Sequence, residues 1–141
     1  MKNYLSSKSF IIVIVLWGLV LFMLIMMLLN LNKPTLDVVP FIITSLASAL
    51  LIWILLDTRY VIKNSFLFYR SGPFRGRIDI SKIDKIQYFS GLYPQVSMKP
   101  ALDIKGYIIT YNKQDDVYVS PKKSIDFIAE LLKINPKIEV L

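Results

Sequence analysis

The sequence predicts two membrane-crossing helices followed by a small α+β unit, a curved antiparallel sheet closed by one helix. Three observations carry this. No charged residue occurs between Lys8 and Lys33, and none between Asp37 and Asp57. Each gap can cross ~30 Å of hydrocarbon at ~1.5 Å per residue. From Thr58 onward the apolar residues come in short alternating runs between turn residues, until a last run takes helical spacing. The chain therefore divides into a tail, residues 1–8, a transmembrane helical hairpin, residues 9–56, and a polar region, residues 57–141.

The tail carries Lys2 and Lys8 like a signal-peptide n-region. The apolar run behind it is too long for an h-region, and no A-x-A-like site precedes Lys33, so an uncleaved anchor is expected. The helices are expected at about Ser9–Leu31 and Val38–Leu56, joined by a tight turn at Asn32-Lys33-Pro34-Thr35. Trp17 lies too deep for an interfacial belt, which points to packing. Thr44, Ser45, Ala47, Ser48 and Ala49 form a small-residue face. Such a face lets helices approach closely, either within this hairpin or between copies of the chain. Pro40 falls in the first turn, where it costs little. Trp53 and Tyr60 bracket the exit from the bilayer and suit the aromatic belt. Lys2, Lys8, Arg59, Lys63 and Arg70 flank the outer ends, against Lys33 alone in the connection. The positive-inside rule then places both termini in the cytoplasm of a cell membrane protein.

In the polar region Arg59–Lys63 and Phe66–Arg70 read as strands around an Asn64-Ser65 turn. Ser71-Gly72-Pro73 is a second turn. Arg75–Ile80 alternates, with Ile78 and Ile80 inward, and Gly76 is read with Gly72 as a turn glycine. Ile83–Phe89 is a fourth strand, Ser90–Pro100 a loop, and Leu102–Ile104 a short strand. Tyr107–Tyr111 and Asp116–Ser120 form a hairpin around Asn112–Asp115. Ser120 as N-cap and Pro121 at the first helical position then open a helix. Its stripe is Ile125, Phe127, Ile128, Leu131, Leu132 and Ile134, and Asn135-Pro136 stops it.

The 141 residues include neither cysteine nor histidine. Disulfides, thiol nucleophiles, imidazole bases and His or Cys metal sites are thereby excluded. No cofactor motif is present. Residues 57–141 hold fourteen lysines and arginines against nine acids. A basic surface beside a bilayer attracts anionic headgroups, at about 1 kcal/mol per well-placed cation. The same cations also serve simply to set topology and solvate the surface. No nucleic-acid readout motif accompanies them.

Several stretches resemble the short bacterial pleckstrin-homology-like (PH-like) domain family, which includes the YyaB-like membrane proteins and the SunI-type bacteriocin immunity proteins. They are Thr58–Ile62, Leu67–Phe74, Arg77-Ile78, Ile83–Ile86, Ile108–Tyr111, Val119–Lys123, Phe127, Leu131 and Asn135-Pro136. The two preceding helices are similar to the YyaB-like arrangement. The chain departs from the family pattern at Met98–Gly106, where a serine-rich run leading to an Asp-Arg pair is usual. The resemblance implies a sheet of about seven strands closed by a C-terminal helix. It also implies structural roles for Tyr60, Gly72, Pro73, Ser120, Pro121, Phe127 and Pro136.

Candidate contacts to an anionic ligand or the membrane surface are Arg59, Lys63, Arg70, Arg75, Arg77, Lys122 and Lys123. Arginines bind phosphate oxygens in a bidentate manner. Lys122 and Lys123, read as the first helical turn, stand at the end that the helix dipole disfavours for cations. The alternative for both groups is a solvated basic turn. The expected function is a non-enzymatic interaction module, anchored in the membrane, that binds a protein partner or anionic lipid. Homo-oligomers are compatible with it, and no nucleic-acid partner is expected. The resemblance to SunI-type proteins implies a rival, immunity to an antimicrobial peptide.

Overall fold

The structure, a computed structural model, describes residues 1–31 and 38–141. The turn expected at Asn32–Thr35 lies outside them. Helices α1 (Phe10–Leu31) and α2 (Val38–Asp57) are apolar on every side. They pack along one seam. On α1 it is Val13, Leu16, Val20, Met23 and Met27, at spacings of three and four. The small residues of α2 meet it: Ser45 and Ser48 donate to the sulfurs of Met27 and Met23 at 3.5 Å. Trp17 falls off the seam and is 47% exposed, so it has no packing role within the hairpin.

Eight strands follow one sandwich plan. The first sheet contains β1 (Lys2–Leu5), β2 (Arg59–Lys63), β3 (Phe66–Ser71) and β4 (Phe74–Asp79), in that order. The second contains β7 (Asp115–Val119), β6 (Lys105–Tyr111), β5 (Ile83–Ser90) and β8 (Glu139–Val140). All neighbours are antiparallel except β5 and β8. Helix α3 (Ser124–Ile134) packs onto both sheets. Seven strands follow Asp57, and the eighth comes from the segment read as a tail. Lys2–Leu5 pairs with β2, Leu5 opposite Arg59, although more than fifty positions separate them. The hairpin thus sits in the connection between the first two strands of a sheet.

Alternation explains the core. Inward residues are Tyr60 and Ile62 on β2, Leu67 and Tyr69 on β3, and Ile78 on β4. Ile86, Ile109 and Val117 oppose them from the second sheet, with Phe127 and Leu131 from α3. The Phe127 ring stands edge-on to Tyr4 at 5.2 Å, so β1 is anchored to the common core. At the Asn64-Ser65 turn both residues have positive φ, 50° and 63°. That geometry matches strand twist in a two-residue hairpin. Gly76 is not in a turn. It lies within β4 opposite Tyr69, whose ring would stand 2.2 Å from any added Cβ.

Four further expectations change. Leu102–Ile104 makes a single bridge from Leu102 to Lys8, not a strand. Ile125 is 83% exposed and leaves the α3 stripe. Ser120 and Pro121 do not open the helix. Helix α3 begins at Ser124, after Lys123, which caps it without a side-chain bond. Ser120 is instead buried, its hydroxyl 3.0 Å from that of Ser6, and its N–H donates to the Tyr60 hydroxyl at 3.0 Å. That hydroxyl donates in turn to the Pro100 carbonyl at 2.6 Å. Tyr60 is fully buried and so is not a belt residue, and burial raises its pKa. This polar knot joins the N-terminal segment, the loop after β5 and the end of β7 where α1 begins.

Candidate functional site

Because β2 starts one residue after α2, strand direction assigns every chain end. The end of β1, the starts of β2, β4 and β6, and the ends of β3, β5 and β7 all lie at the hairpin end. Two contacts lock β3 and β4 to the helix there. Thr58 bridges the Ile54 carbonyl at 2.7 Å and the Ser71 hydroxyl at 2.9 Å. Gly72, at φ +57°, lies so close to α2 that a Cβ would stand 2.9 Å from Ile54 Cγ1. Pro73 completes the same turn.

The outward residues of the first sheet form a grid. Its row nearest the hairpin is Leu5, Arg59, Arg70 and Arg75, each directly opposite the next. The second row is Asn3, Val61, Phe68 and Arg77, and the third holds Lys63, Phe66 and Asp79. A groove of about 400 Å³ runs across the first two rows, lined among others by Met1, Asn3, Arg59, Val61, Phe68, Arg70 and Arg75. Like charges directly opposite one another destabilise a sheet. Asp57 at the end of α2 relieves part of this: it pairs with Arg59 at 3.5 Å and with Arg70. Trp53 donates to the same carboxylate at 3.2 Å and is thereby held at the helix end. Arg75 makes no ion pair among the described residues. The Arg77 guanidinium lies 5.5 Å from the Phe66 ring centre, a cation–π contact.

The other candidates lie apart. Lys63 sits at the distal end of β2. Lys122 and Lys123 precede α3. Lys122 borders a cleft of about 430 Å³ with Lys8, Leu56 and Thr58, on the hairpin side. Lys123 lines a different one with Lys2, Asp126 and Glu130, where acids answer the bases. There the Lys2 ammonium donates to Glu130 at 2.7 Å, which raises the lysine pKa and lowers that of the carboxyl. Sequence reasoning missed Asp57, Asn3 and Lys8. Only Asp57 carried a signal, as the acid closing an apolar run one turn after Trp53.

The loop after β5 also reaches the hairpin end. Ser9 donates its N–H to the Leu102 carbonyl at 2.9 Å. Lys99 lies over the Tyr118 ring at 5.4 Å and donates to the Leu92 carbonyl at 3.2 Å. Burial lowers the pKa of this ammonium and raises that of the Tyr118 phenol. The arrangement offers fixed guanidinium groups beside apolar side chains, suited to holding an anion with an apolar neighbour.

Neither the curated proteins nor the solved structures contain a match to the chain. Residues 58–135, more than half of the chain, match the family model described as a bacterial PH domain, and the chain belongs to that family.

Proposed function

We propose that this is a non-catalytic PH module, anchored by residues 9–56, which holds its arginine-bearing sheet against anionic headgroups of the bacterial cell membrane. The module comprises residues 57–141 and the N-terminal strand. The observation that carries the reading is the row Arg59, Arg70 and Arg75 at the hairpin end, in which Arg75 makes no ion pair among the described residues.

Three points support the setting. Both helices are long and apolar enough to cross a membrane. Most of their residues are exposed in the chain itself, Val20, Ser48 and Leu55 being the buried ones. Such surfaces require an apolar solvent. The start of α1 and the end of α2 lie at one end, so a spanning hairpin leaves both termini on one side, and the lysine and arginine count makes that side the cytoplasm. Among the described residues, the side chains around the arginine row are basic, amide and apolar, apart from the Asp57 carboxylate, which is paired with Arg59 and Arg70.

The test uses the full chain in nanodiscs of phosphatidylcholine, with and without phosphatidylglycerol. Amide exchange in β3 and β4 is expected to slow with the anionic lipid. An Arg59→Gln/Arg75→Gln variant is expected to abolish that difference. Equal exchange in both lipids removes the lipid reading and leaves a protein partner as the ligand of this face.

A further inference from the structure

We propose that the loop after β5 is a third membrane contact, with Leu92 and Tyr93 seated beside Phe74 in the interfacial layer of the bilayer that α1 and α2 span. This rests on the spanning reading above, but on different residues from the arginine row.

The depth of the loop follows from its backbone. The last pair of the β5–β6 ladder is Ser90 with Lys105. The pairing continues one step further, where the Gly91 N–H donates to the Ile104 carbonyl at 2.8 Å. Leu92 and Tyr93 therefore lie beyond the sheet, level with Asp103 and Leu102. Leu102 in turn accepts from Ser9, the residue before α1. The loop tip is thus at the depth where the first helix starts. The returning limb of the loop reaches the turn that is packed on the second helix. Ser97 to Pro100 line a cleft of about 180 Å³ with Ser71 and Phe74, next to the turn seated on Ile54.

The chemistry at that depth is apolar and aromatic. Tyr93 is 90% exposed, Leu92 70% and Phe74 52%. Gly91 and Lys99 hold the loop by hydrogen bonds at either side of the tip. An apolar–aromatic tip whose backbone is tied down at the end of a transmembrane helix matches the preference of aromatic rings for the headgroup layer. The bilayer is the occupant because its surface plane is set by the helix ends, and the loop is bonded to the start of the first of them through Ser9 and Leu102.

The test exploits the absence of cysteine. Nitroxide labels are placed singly at Tyr93→Cys, at Leu21→Cys within α1 and at Gln114→Cys in the distal turn. The full chain is reconstituted in phosphatidylcholine–phosphatidylglycerol vesicles, and collision rates with oxygen and with a soluble nickel chelate are measured. The expected result is a nickel rate at position 93 several-fold below that at 114, with an oxygen rate between those at 114 and 21. A nickel rate at 93 equal to that at 114, with 21 in hydrocarbon, overturns the loop contact alone. So does shielding of position 93 from both reagents, which marks a protein covering. A water-exposed label at 21 overturns the spanning reading and the contact together.

Discussion

The two sheets share one core but treat their outer faces differently. Across the second sheet, Lys85 opposes Thr110 and Thr110 opposes Asp116, with the threonine hydroxyl donating to the aspartate at 2.6 Å. A base, a hydroxyl and an acid in register are mutually satisfying. Across the first sheet three arginines stand in register instead. Folding alone gains nothing from that row, because adjacent like charges work against the strand pairing. The second sheet shows what a face under stability constraints looks like in this chain. The first shows a row that strand pairing does not explain and that Asp57 compensates only in part.

The strongest way to break the comparison is to remove what the sheets have in common. Phe127→Ala is expected to cost about 3–5 kcal/mol, as for a fully buried phenylalanine. Thermal unfolding in detergent should then show both sheets melting together at a lower temperature. Loss of one sheet alone would mean that the shared core is not the organising unit.

A smaller change sharpens the contrast within the first sheet. Asp57→Asn strips the compensation from Arg59 and Arg70 and is expected to destabilise by about 1 kcal/mol. Arg75→Gln is expected to stabilise by a few tenths of a kcal/mol, about the cost of one like-charge cross-strand pair. Lys85→Gln, its counterpart on the second sheet, should not stabilise. Denaturant midpoints for the three variants decide the matter, and a stabilising Lys85→Gln would dissolve the distinction.

The smallest expected effect is on the edge strand β1, held to α3 by Lys2 and Glu130. The hydrogen bond between them lowers the folded pKa of Glu130 below its ordinary 4.5. The stabilisation is therefore complete above that value and fades as pH falls through the folded one. For Lys2 the folded pKa is raised above 10.5, so its share is complete below that value and fades as pH rises further. A spin label at Leu5→Cys should gain mobility at both extremes and be insensitive between them. Glu130→Gln should remove the acid branch. An acid branch that survives this substitution would place the titrating group elsewhere.

Most strands were legible because alternation and turn chemistry are local. Asn64-Ser65 closes a two-residue turn, and from it the pairing of Arg59 with Arg70 follows by counting. The arginine row was thus within reach of the sequence. Strand β1 was not. Four residues carry too little periodicity, and nothing local encodes a partner beyond an apolar hairpin. Ser120-Pro121 misled for a different reason. The pair has the chemistry of a helix start, but the hydroxyl is taken by Ser6 and the N–H by Tyr60, so the chain turns once more before α3 begins. The role of Asp57 depends on three residues that meet only in the folded chain.

The first strand lies before the hairpin and its partner after it, so synthesis and assembly run in different orders. The opening residues wait, unpaired, until both helices and β2 have left the ribosome. Docking then closes a ring whose circumference is the hairpin itself. For a flexible chain the entropic cost of such closure grows with the logarithm of its length. Here the contacts of Ser45 and Ser48 with Met27 and Met23 shorten the ring in advance by clasping its two sides. Helix pairing and strand docking are therefore one thermodynamic cycle, and loosening the clasp between the helices weakens the edge of the sheet.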